Sequence, residues 1–236
     1  MRDGRNSQTT RGLGVRLTDL TDLELAKTLE EAVKRLAKSG WTLPMYMTME
    51  LMVEIAQCTD DEIDEHFAEF YDNAQVFRRL KRDLLTSERL ADWRQLLEQC
   101  FENYEGGKHL ICIPALLSIL EGGLVLADGA TFVNADQRIE YFKQKISTYD
   151  PESLRRLMWK SMNTFFSLLY RKRDFAKERP PNLNRHWILH GRDLPSEWRR
   201  ADALRLFNGL LTLNSLPLIQ PAPRNARRQQ PSASHS

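Results

Sequence analysis

Apolar residues recur every three or four positions through most of the chain, the spacing of an amphipathic α-helix. No stretch keeps the period-two alternation of a half-buried strand. Leu25, Leu29, Ala32, Val33 and Leu36 predict a first helix over residues 19–38, stopped by Ser39-Gly40. A second helix is predicted over 48–57. Thr59 before Asp60, Asp61 and Glu62 has the form of an N-cap followed by first-turn acids. It opens a third helix that runs toward Tyr71 with Ile63, Phe67 and Phe70 on one side. Ser87 is read as the cap of the next helix, whose stripe is Leu90, Trp93, Leu97, Cys100, Phe101 and Tyr104 and whose stop is Gly106-Gly107.

Residues 110–126 are apolar nearly all round, which predicts a buried central helix with Pro114 in its first turn. Pro114, Glu121, Gly122 and Gly123 interrupt it, so it is too short and too broken for a membrane span of about 20 apolar residues. Helices over 136–148 and 150–172 follow, the second with Leu154, Leu157, Met158, Met162, Phe165, Leu168 and Leu169 on one face. A short helix from 183 to 190 stops at Gly191, and a last one covers 197–213. The expected fold is an all-α helical bundle. Residues 1–17 read as a flexible arm. Residues 216–236, with Pro217, Pro221 and Pro223 among Arg, Gln and Ser, read as a disordered tail.

Composition narrows the class. Of 236 residues, 42% are hydrophobic and 28% charged, as in an ordinary globular protein. The formal net charge of +2 conceals an asymmetry. Residues 46–105 hold 6 Lys and Arg against 15 Asp and Glu, whereas residues 151–205 hold 13 against 6. The two regions can hold each other, or the basic one can face a polyanion. Cys58, Cys100 and Cys112 form no CxxC and no close pair, and read as inert buried thiols. So sparse a set fits a reducing, cytoplasmic setting. Arg2, Arg5, Arg11 and Arg16 precede no apolar run, so the N-terminal stretch does not read as a secretory signal. Trp93, Trp159 and Trp198 sit at helical spacing with apolar neighbours and read as core.

Candidate chemistry concentrates in Asn184-Arg185-His186-Trp187-Ile188-Leu189-His190-Gly191. One arginine and two histidines flank three apolar residues that would anchor the element. On a continuous helix Arg185 and His190 are about 140° and about 7.5 Å apart, so they do not share a face unless a cleft crosses the helix or two copies meet. His186 and His190, four apart, do share one. Two histidines supply two ligands, fewer than a zinc site requires, so neither metal nor other cofactor is expected.

The string Arg185-His186-(three residues)-His190 resembles the signature of the HEPN superfamily, in which an arginine, a polar residue, three more residues and a histidine lie on a late helix of an α-helical bundle. Asn184 to Gly191 is similar to the Asn-Arg-His-x-x-Leu-His-Gly version in uncharacterised bacterial HEPN-like proteins. Ile113-Pro114-Ala115-Leu116-Leu117 with Glu121-Gly122 resembles a second segment of the same proteins. The resemblance covers about residues 85–215 as a HEPN-like helical domain, preceded by an N-terminal helical region over 18–84. It implies a metal-independent endoribonuclease, often a homodimer, that acts as a toxin checked by an antitoxin or as an antiphage effector. Arg185 would then stabilise the phosphate and His190 would transfer protons, with His186 beside them.

Glu121 is a carboxylate within an apolar helix. It either pairs with Arg185 or another buried cation, or lines the same cleft as a site-orienting group, a role also expected of Asn184. Arg171, Lys172, Arg173, Lys177 and Arg179 read either as an RNA-backbone track or as cations complementing a helix C-terminus. Beside the ribonuclease stands a second reading, a non-catalytic helical module that binds RNA, a nucleotide or a protein partner.

Overall fold

The computed structural model describes residues 17–127 and 134–216, and among these every regular element is helical. The readings of residues 1–16 as an arm and of 217–236 as a tail lie outside the described residues. A 3-10 turn at Leu17–Asp19 leads into α1, Asp22–Lys38, where Thr21 and Glu24 form a reciprocal capping box. Then come α2, Met49–Ile55, capped by Thr48, and α3, Asp60–Asp72. Thr59 caps α3 as its sequence predicts, its side chain accepting from the Glu62 amide while the Glu62 carboxylate accepts from the Thr59 amide at 2.8 Å.

The apolar pattern assigns nothing between Tyr71 and Ser87, yet α4, Ala74–Leu85, occupies that stretch. Asn73 caps it by accepting from the amides of Gln75 and Val76. Its buried stripe is only Phe77, Leu80 and Leu84, set among exposed Arg78, Arg79 and Arg82. A second correction concerns Ser87, which makes no capping bond and instead donates to Asn214 Oδ1. A 3-10 stretch, Glu88–Trp93, precedes α5, Arg94–Glu105. A third concerns Pro114. Helix α6 begins at His109 and ends at Ala127, so the proline is its sixth residue and lies inside it, beyond the first turn where its missing N–H matters least.

The remaining helices are α7, Ala135–Ser147; α8, Leu154–Tyr170; α9, Arg185–Leu189; and α10, Arg200–Ser215, after a 3-10 turn at Pro195–Glu197. Helix α10 is the axis of the molecule, buried continuously from Ala201 to Leu213, and it packs against α6, α3, α4 and α8. Helix α1 lies along α8, which also carries α7. Helices α1–α4 thus share one apolar core with the later helices. Phe101 stacks on Phe207 within it, and Trp159 is fully buried. Trp93 and Trp198 pack against its edge.

A buried polar seam fixes the registry between the halves. Asp64 on α3 accepts from Trp41 Nε1 at 2.9 Å and pairs with Arg205, which also holds Asp202 at 2.6 Å. Arg199 reaches the other oxygen of Asp64 at 2.8 Å. Asn208 donates to the Thr42 carbonyl and accepts from the Tyr71 hydroxyl. Arg200 pairs with Asp72. Much of the acidic–basic asymmetry is therefore satisfied internally, between α3 and α10. Among the described residues no helix is long and apolar enough to cross a membrane.

Candidate functional site

The site forms where the C-terminal end of α8 meets α9 and the start of α7. Asn184, nearly inaccessible, joins the first two. Its Oδ1 accepts from the Trp187 amide at 3.2 Å, capping α9, and its Nδ2 donates to the carbonyls of Leu168 and Arg171 at 3.2 and 2.9 Å. These carbonyls lie at the end of α8, where an intrahelical donor is lacking. Trp187 and Ile188 turn inward as anchors, whereas Leu189, expected to do the same, is half exposed. Gly191 closes α9 at φ +64°, a left-handed conformation that glycine adopts without Cβ crowding.

This junction borders an open cleft of about 850 Å³. Arg171, Lys172, Arg185 and His186 line one end of it. Polar groups of α8, Asn163, Thr164, Ser167 and Tyr170, line its floor. The Arg185 Nε lies 3.2 Å from Glu121 Oε2, and its guanidinium lies over the Tyr170 ring at 5.5 Å from the centroid. Arg138 on α7 holds the other Glu121 oxygen at 2.9 Å. Glu121 therefore pairs with Arg185 and with a second cation. The Tyr170 hydroxyl faces this carboxylate from within the protein; desolvation first, and then the Glu121 charge, push its ionisation well above the usual range.

His190 stands apart. It is exposed, just beyond the last turn of α9, and is not among the residues lining the cleft. Its ring meets that of His186 edge-on, with centroids 4.6 Å apart. His186 also stacks on Phe175 at 4.6 Å and nearly parallel, the Phe175 and His190 rings lie 5.7 Å apart, and Arg192 sits over the phenyl ring at 5.2 Å. His186 therefore sits in a cluster of three rings and, of the three, is the one that lines the cleft. Desolvation, then the charges of His190, Lys172 and Arg185, hold its pKa below the ordinary 6.5.

The basic run divides. Arg171 and Lys172 are exposed at the cleft and make no ion pair among the described residues. Lys177 is exposed away from the cleft lining, and Arg173 is half-buried. Arg179 is engaged by the buried Asp193, Nε to Oδ1 at 2.6 Å. Among the described residues no group of three or more His, Cys, Asp or Glu is placed to share a metal ion. Of the cysteines, Cys100 and Cys112 are buried, which pushes their thiols up to about 12 and about 11, while Cys58 is only half-buried.

Two contributors were not singled out from the sequence. Tyr170 is masked by the apolar stripe of α8, although a phenol at a helix end beside Arg171 is a polar tip on an apolar body. Phe175 carries a clearer signal, being the one aromatic ring in the basic stretch from Arg171 to Arg179. The fold and the site together define an all-α protein with a cationic, imidazole-edged cleft. Comparison of the chain with protein-family models, with curated proteins and with solved structures finds no match.

Proposed function

We propose that this protein is a metal-independent endoribonuclease of HEPN type that engages RNA at the cleft between α7, α8 and α9. The observation that supports the reading is the edge-on contact of the exposed His190 with His186, which lines the cationic end of that cleft. Arg171 and Lys172 attract the phosphate backbone, and Arg185 presents a planar fork to the scissile phosphate. His186, disfavoured as a cation by its neighbours, accepts the proton of the ribose 2′-hydroxyl. The 2′-oxygen bonds to phosphorus and the bond to the 5′-oxygen breaks. His190 donates a proton to that leaving oxygen, giving a 2′,3′-cyclic phosphate and a free 5′-hydroxyl. Arg185 contributes most as charge builds on the phosphoryl oxygens. The role of toxin or antiphage effector, with a homodimer or an antitoxin partner, belongs to the same proposal.

The test is digestion of total RNA in EDTA by the wild type and by folded Arg185→Ala, His186→Ala and His190→Ala variants. Each variant is expected to lose at least tenfold in rate, in line with the contribution of a positioned acid or base. Unchanged cleavage by His190→Ala and His186→Ala would remove the mechanism. A second reading, RNA binding without turnover, is favoured by one observation: Glu121 already engages Arg185, while His190 lies outside the cleft lining. It predicts salt-dependent binding and no product with a cyclic phosphate end.

A further inference from the structure

The floor of the cleft holds a polar atom that the fold leaves unused among the described residues. Asn163 Oδ1 is shielded from solvent and has no hydrogen-bond partner among the described residues, whereas the Tyr170 hydroxyl faces the Glu121 carboxylate. Buried acceptors are nearly always satisfied, and one left alone costs about as much as a lost hydrogen bond. An acceptor so placed is available to a donor on a bound molecule. The two residues lie on one stripe of α8 with Ser167 between them, and all three line the cleft. Seven residues of helix separate Asn163 from Tyr170, a rise of about 10 Å. That matches the length of one nucleotide from its phosphate to the far edge of its base. The Tyr170 end is the cationic one, beside Arg171 and Arg185. A nucleotide whose phosphate sits there would bring its base edge to Asn163.

We propose that Asn163 reads the base of the bound nucleotide and selects bases that carry an exocyclic amine. The acceptor is recessed, so a donor must protrude to reach it. The amine of cytosine, adenine or guanine projects from the ring. The ring N–H of uracil or hypoxanthine does not, and adjacent ring carbonyl oxygens would meet Asn163 Oδ1 with like partial charge. Asn163 is only partly buried as a residue and lines the cleft, so a protruding donor on a ligand in the cleft can approach its amide edge. Ser167 leaves this edge free, because its hydroxyl donates to the Asn163 backbone carbonyl at 2.7 Å. The inference rests on the reading of the cleft as an RNA site and adds the substrate feature that the cleft discriminates.

Two matched pairs of mononucleotides test it, CMP against UMP and AMP against IMP, with binding to the full chain measured by calorimetry or by competition with a labelled oligoribonucleotide. Each pair differs by an amine against a carbonyl at one base position. The amino member is expected to bind about tenfold more tightly. Asn163→Leu should abolish that ratio while the labelled oligoribonucleotide still binds. Asn163→Asp, which keeps an acceptor and has no donor, should retain the ratio even as its charge weakens binding of all four. Equal affinity within both pairs, with the oligoribonucleotide still bound, would overturn base selection and leave the RNA site standing. Absence of any binding by the wild type, oligoribonucleotide included, would overturn both.

Discussion

Removal of the Asn184 side chain probes the junction on which the site depends. The amide satisfies three backbone groups and is almost inaccessible to water. Asn184→Ala deletes the α9 cap, a loss of about 1 kcal/mol. It also strips the Leu168 and Arg171 carbonyls of their side-chain donor, at about 1–3 kcal/mol in a partly buried setting. The expected fall in stability is about 2–4 kcal/mol, which for a chain of this size lowers Tm by roughly 5–15 °C. Thermal and urea unfolding measure it, and faster hydrogen exchange at the Trp187 amide would locate it. Asn184→Asp separates the two roles. It keeps an acceptor for Trp187 but sets a carboxylate against two carbonyl oxygens, so it should be at least as damaging as alanine. A loss below about 0.5 kcal/mol for alanine, or near-native stability for aspartate, would refute the view that this amide locks α9 to α8.

Four further outcomes are expected. A Cβ on Gly122 would fall 2.2–2.3 Å from the Trp93 indole, so Gly122→Ala should cost about 1–3 kcal/mol in urea unfolding and shift Trp93 fluorescence. Asp64→Ala leaves Arg205 and Trp41 Nε1 buried without their shared acceptor, and should cost about 3–5 kcal/mol by the same measurement. Asp72 is held below its ordinary 3.8 chiefly by its hydrogen bond with Arg200, and Asp60 by Ser39 and then Arg35. A depressed carboxyl stabilises the fold fully above its unfolded value and stops doing so as pH falls through the lower folded value, so Arg200→Gln should flatten the acid limb of a stability–pH curve. Because His186 is held below 6.5, cleavage should persist at pH values under that figure and fall only when His186 takes up its proton; a limb at or above 6.5 would exclude it as the base.

The scaffold was legible where pattern and chemistry agree. Thr59 with Glu62 declares its helix because the cap and the first-turn acids address the same unsatisfied amides. Helix α4 escaped because three buried residues among four arginine and lysine side chains leave too narrow a stripe. The site was half legible. The neighbourhood of Arg185 and His186 follows from local spacing on α9. That Glu121 would meet Arg185, and that His190 would fall outside the cleft lining, depends on how α6 and α7 pack beside α9, which spacing along one element does not encode. Tyr170 and Asn163 were hidden for a related reason. On a helix with so strong an apolar face they read as the polar edge, and only the position of α7 turns that edge into the floor of a cleft.

A formal charge of +2 is no obstacle to binding a polyanion, because charges more than about 8 Å away are largely screened at physiological ionic strength. What an approaching phosphate meets is local. Arg199, Arg200 and Arg205 are engaged by Asp61, Asp64, Asp72 and Asp202 at the α3–α10 seam, and Arg179 by Asp193, so these cations add little to the field outside. Among the described residues Arg171 and Lys172 have no such acid, and they stand beside Arg185 at the end of α8. Pairing at the seam therefore takes those arginines out of the outer field and leaves Arg171 and Lys172 to meet a ligand at the cleft, whose lining also carries Asp136. Reversing Arg171 and Lys172 together should weaken oligoribonucleotide binding far more than reversing Arg199 and Arg200, although each pair changes the net charge by the same amount. Equal losses would mean that overall charge, and not this cleft, governs the interaction.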